Sequence, residues 1–62
     1  MTFKVVETRL FKGERKRRIL RRGLEEDFAR RVRNAREWEN AQRGNADREV
    51  TVEPDDRVHS LG

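Results

Sequence analysis

A chain of 62 residues with no cysteine has to fold around very little core and without a covalent brace. A domain of this size buries only about 60% of the surface its unfolded chain exposes, so its margin of stability is thin. The usual reinforcements are disulfides, a structural metal or another subunit. The lack of cysteine removes disulfides and thiolate zinc sites together. His59 is the single histidine and cannot build an imidazole site. No metal or cofactor is therefore expected. The core is expected to be completed by oligomerisation or by docking on a larger partner.

Charged residues make up 45% of the chain and hydrophobic ones 32%, a balance that favours disorder unless the charges pair. The charge is also segregated. Residues 1–23 carry nine basic and two acidic groups, residues 24–43 five of each, and residues 44–62 two basic and five acidic. A cationic front thus leads to an anionic end. No apolar run approaches the ~20 residues of a membrane span. Lys4, Glu7 and Arg9 interrupt the apolar N-terminal segment, unlike a secretory leader. A soluble, cytoplasmic protein with no membrane partner is expected.

Residues 2–11 predict a strand, because Phe3, Val5, Val6, Thr8, Leu10 and Phe11 are β-branched, aromatic or apolar and no breaker intervenes. Polar residues fall on both of its faces, which suits an edge strand or a partner's sheet. Lys12-Gly13 punctuates the chain. Residues 14–43 predict one long helix, rich in helix formers and free of proline. Leu20, Leu24, Phe28, Val32, Ala35, Trp38 and Ala41 recur at spacings of four and three and form one stripe on it. Glu14/Arg18, Glu26/Arg30, Asp27/Arg31 and Glu39/Arg43 support the helix as acid-first i,i+4 pairs. Gly23 is its weak point. Arg21 and Arg22 before it, and Glu25, Glu26 and Asp27 after it, carry the charges that favour a helix end and a helix start. With no Ser, Thr, Asp or Asn at the N-cap position, the helix is read as continuing through.

Gly44-Asn45 is a helix stop. Residues 49–53 alternate as a short strand, Pro54-Asp55-Asp56 turns, and residues 54–62 form a loose acidic tail. The expected fold class is α+β: a small strand–long helix–strand unit in residues 1–53, with the two strands pairing in parallel and the helix as crossover.

Six cations fall within eight positions: Arg15, Lys16, Arg17, Arg18, Arg21 and Arg22. On a helix they would form a basic face able to neutralise phosphates without reading sequence. The bland alternative is a solvated face, or a surface for an acidic protein. Arginine outnumbers lysine thirteen to three, which suits bidentate phosphate contacts and a GC-rich coding genome equally. In the second half, Arg33 and Arg36 lack an acid four residues earlier and are expected to be the free arginines there. Leu20, Leu24, Phe28, Val32 and Trp38 are expected to fill the core or an interface; base stacking by Trp38 is the weaker role.

Glu25, Glu26 and Asp27 are consecutive on a helix and diverge by about 100° each, so they do not converge as a metal or acid–base site. The four glycines stand apart, which excludes a phosphate loop. No enzyme activity is expected. The acid-rich stretch 47–56 has the sign to fold back over the basic cluster. The functional expectation is a small, basic, non-enzymatic protein binding DNA or RNA through the phosphate backbone. The alternative is an assembly subunit of a larger complex or virus-like particle, docking its N-terminal strand and helix on an acidic protein surface.

Overall fold

The computed structural model describes residues 1–55. They form strand β1 (Phe3–Phe11), strand β2 (Glu14–Leu24), helix α1 (Glu26–Gln42) and strand β3 (Arg48–Pro54). The sheet is antiparallel throughout, in the order β2-β1-β3, with one helix on one face. The α+β class holds, but the single long helix does not. Its first third is β2.

Three local causes explain the difference. First, Lys12 and Gly13 both take positive φ, 52° and 79°, the two-residue hairpin turn that returns the chain antiparallel at once. Second, residues 14–24 hold only Ile19, Leu20 and Leu24 as apolar anchors. A helix there would bury almost nothing, whereas a strand satisfies its backbone against β1. Third, Gly23 has φ +69°, which does not belong in a helix. The β1–β2 register shifts once between Val6 and Val5, at Leu20, so that Val5 faces Arg21, and again between Val5 and Phe3, where Gly23 sits, so that Phe3 faces Leu24. The extra residue there is a bulge, and it re-aims Leu24.

Glu26 and Asp27 occupy the first turn of α1, so the acids after Gly23 do mark a helix start. The other end is closed by bonds from the Gly44 N–H to the Ala41 carbonyl (3.2 Å) and from the Asn45 N–H to the Asn40 carbonyl (2.8 Å). That is the Schellman pattern.

Because the hairpin reverses the chain, β3 pairs with β1 antiparallel, not in parallel, from Phe3↔Pro54 to Arg9↔Arg48. The strand expected over 49–53 extends to Pro54, and Asp55 is buried, so the fold reaches past the expected domain boundary at residue 53. Pro54 and Asp55 therefore do not belong to a loose tail. The rest of that expected tail, with His59, lies outside the described residues.

The apolar core is small. Val5, Ala29 and Val50 are buried, with Phe3, Leu20, Leu24, Val32 and Val52 packed around them. Cross-strand partners share a face and faces alternate along a strand, so Phe3, Val5 and Glu7 look towards α1 while Lys4, Val6 and Thr8 look away. Farther along the helix, polar groups replace apolar ones at the same interface. The buried Glu7 carboxylate accepts hydrogen bonds from Arg36 Nε (2.9 Å), Arg36 Nη2 (3.3 Å) and Asn40 Nδ2 (3.0 Å). The Arg36 hydrogen bond holds the Glu7 carboxyl below its ordinary value, against the opposing effect of burial, with Asn40 and the nearby Arg48 charge assisting. Glu7 in turn raises the Arg36 guanidinium.

Val6 is fully buried on the face that α1 leaves uncovered. Arg17, opposite Thr8 on β2, pairs with Glu53, opposite Lys4 on β3. The ion pair therefore crosses the sheet diagonally over Val6, and the arginine stem shields it. Among the described residues, no helix is long and apolar enough to cross a membrane.

Candidate nucleic-acid interface

β2 lies at one edge of the sheet and is exposed at every position from Glu14 to Ile19. It carries all six cations of the basic cluster. They stand on a strand, not on a helical face, because the hairpin and the Gly23 bulge commit this segment to the sheet. Strand geometry changes their arrangement. Arg15 and Arg17, opposite Leu10 and Thr8, point to the uncovered face; Lys16 and Arg18, opposite Arg9 and Glu7, point to the helix side. Arg21 and Arg22 lie at the bulged end.

Two of the six are engaged by acids from the far edge. Arg17 pairs with Glu53, and Arg22 Nε lies 3.9 Å from the buried Asp55 carboxylate, which also accepts the Gly23 N–H at 3.2 Å. The Asp55 N–H donates to the Thr2 carbonyl (3.0 Å), fixing this acid at the start of the central strand. The acid-rich stretch thus touches the cluster at two points, through β3. Among the described residues no acid lies within ion-pair distance of Arg15, Lys16, Arg18 or Arg21. These four cations in seven positions carry no ion-paired acid among the described residues.

The hairpin tip adds cations that the one-dimensional cluster did not include. Arg9 and Lys12 lie 5.7 and 5.4 Å from the centre of the Phe11 ring. Arg9 also sits 3.9 Å from Asp47. Reading Lys12-Gly13 as a hairpin loop would have brought Lys12 to this surface; a lysine where Asn or Asp is usual made that signal weak.

The apolar residues expected along one stripe separate. Leu20 and Leu24 from β2 meet Val32 from α1 around the core, while Phe28 (51% exposed) and Trp38 (67%) stand outside it. The helix face that meets the sheet is Ala29, Val32, Arg33, Arg36 and Asn40, roughly a third of a turn from the expected stripe. Arg33 and Arg36, expected to be free, are the most engaged arginines of the helix. Arg33 donates to the Val50 carbonyl (3.1 Å), Asn34 (2.7 Å) and Glu37 (3.1 Å), while Arg36 pairs with Glu7 and Glu39. Their acids lie after them in the helix, Glu37 at i+4 and Glu39 at i+3, or in another element, and a count of acid-first pairs does not reach them. No group of three or more metal-ligating side chains is found among the described residues. No family model, curated protein or solved structure matches the chain.

Proposed function

We propose that the chain is a small non-enzymatic protein that binds nucleic acid through the phosphate backbone, with β2 as the contact strand. The exposed edge strand, with four cations that no acid among the described residues pairs, is the observation that carries this reading. A strand edge also presents unpaired backbone groups, and charge there prevents edge-to-edge aggregation. One or two lysines would serve that purpose. Six cations in eight positions exceed it, and they draw the phosphate-rich surface of a duplex by counterion release. Backbone contacts carry no sequence information, so the binding is expected to be largely non-specific.

Fluorescence anisotropy with labelled duplex DNA tests this. Four phosphate contacts give a slope of about −3.6 in log K against log salt, or roughly a 150-fold loss between ~50 and ~200 mM salt. Arg15→Glu/Arg18→Glu should abolish binding. Arg31→Glu/Arg43→Glu changes the net charge equally on the helix, away from β2, and should retain most of it. Equal losses in the two variants would show that net charge, not β2, carries the binding.

A second reading, an assembly subunit docked on an acidic protein surface, draws on Phe28 and Trp38. Two large apolar side chains more than half exposed on one helix exceed what solubility favours. Under that reading Trp38→Ala weakens association measured by light scattering and leaves DNA binding unchanged.

A further inference from the structure

The two-sided placement of the cations says how a duplex would be engaged. We infer that β2 enters the major groove of B-form DNA edge-on, with Arg15 meeting phosphates of one strand and Lys16 and Arg18 those of the other, while Arg17 stays paired with Glu53. The inference rests on the nucleic-acid reading above and specifies its substrate.

The placement follows from the sheet. Glu7 contacts Arg36 and Asn40 of α1, which identifies the helix side, and Arg18 lies opposite Glu7. Alternation then puts Lys16 on that side and Arg15 and Arg17 on the other. An extended arginine reaches about 6 Å from its Cα. Charges on opposite sides of one strand therefore stand roughly 12 Å apart, close to the ~12 Å width of the B-DNA major groove and twice the ~6 Å of the minor groove. Insertion requires an outermost strand that nothing overhangs. β2 is outermost and exposed from Glu14 to Ile19, whereas α1 is anchored over β1 and β3 through Glu7 and the Val50 carbonyl.

The alternatives fit less well. Lying flat, the uncovered sheet face would bring Glu49 and Glu53 of β3 against phosphate, since they stand on that face opposite Thr8 and Lys4. The major groove of A-form RNA is deep and narrow and does not admit the strand. Single strands are held by stacking on aromatic side chains, and residues 14–24 contain none.

The test uses the full chain with three probes of one sequence: a DNA duplex, the same duplex with glucosylated 5-hydroxymethylcytosine filling the major groove, and the RNA duplex. Glucosylation leaves the phosphates in place. Binding to the first should exceed binding to the other two by at least ~10-fold. Lys16→Ala/Arg18→Ala should lower the salt slope by about 1.8 and Arg15→Ala by about 0.9. Equal affinity for the glucosylated duplex, or a slope change confined to the cations of one side of the strand, would overturn edge-on insertion while leaving backbone binding intact. Failure to bind any of the three at ~50 mM salt would overturn the nucleic-acid reading and this inference with it.

Discussion

Replacing Glu7 with alanine removes the one carboxylate that, among the described residues, is buried between the central strand and the helix. Its consequence can be worked through group by group. Glu7 and Asn40 are both 5% exposed, and the Asn40 amide donates to the Glu7 carboxylate at 3.0 Å. Truncation strands that amide, and an unsatisfied buried polar group costs about 1–3 kcal/mol. Arg36 loses two bonds, but its side chain is 29% exposed and keeps Glu39, so water recovers part of its solvation. The total should therefore fall at or below the ~3–5 kcal/mol of a fully buried broken pair, at roughly 2–3 kcal/mol. A chain of 62 residues has a stability of about 3–9 kcal/mol. Its unfolding entropy is near 130 cal/mol/K, so the melting temperature should drop by about 15–23 °C. Thermal denaturation followed by circular dichroism measures this directly. A shift under about 4 °C, equivalent to ~0.5 kcal/mol, would show that the Glu7–Arg36–Asn40 cluster contributes little and that the apolar residues alone set the stability.

Glu7 also predicts an acid limb of stability. Its folded-state pKa lies below the ordinary 4.5, so its contribution is complete above 4.5 and is lost as pH falls through the folded value; Glu7→Gln should flatten that limb in urea titrations across acid pH. Replacing Glu7, Arg36 and Asn40 together with Leu, Met and Leu should be neutral or stabilising, because apolar packing of similar volume often matches a buried ionic cluster; a loss comparable to that of Glu7→Ala would contradict this. Gly23→Ala forces a Cβ into a φ of +69° and should cost about 1 kcal/mol or more, seen as a lower urea midpoint. Trp38→Ala should change monomer stability by less than ~0.5 kcal/mol, as for a surface site, whereas a Trp38 that filled the core would cost several times more.

The parts of the fold legible in the sequence are those where one signal stood without a competitor. β1 was marked by many β-formers with no breaker among them, the helix stop by Gly44-Asn45, and β3 by the alternation of Val50 and Val52. The segment from Glu14 to Leu24 was not legible, because arginine and lysine favour helix by local propensity while the hairpin turn and bulge that override it depend on pairing with β1. Gly23 held the decisive signal: the charges on either side of it already described a boundary. The basic cluster was legible as a list and not as a shape. Its residues stay together on one edge, but strand alternation splits them between two faces. The pairings of Arg17 with Glu53 and Arg36 with Glu7 span 36 and 29 residues and leave no local trace.

Amide NMR of the full chain titrated with a short DNA duplex tests most directly whether residues 14–24 are an exposed edge strand that serves as a nucleic-acid surface. The resonances should show extended backbone shifts from Glu14 to Leu24, with perturbations centred on Arg15–Arg22 and the arginine side chains of that stretch. Helical shifts before Glu25 would contradict the fold. Extended shifts with no perturbation in β2, or with perturbation confined to Phe28, Arg31 and Trp38, would contradict the function.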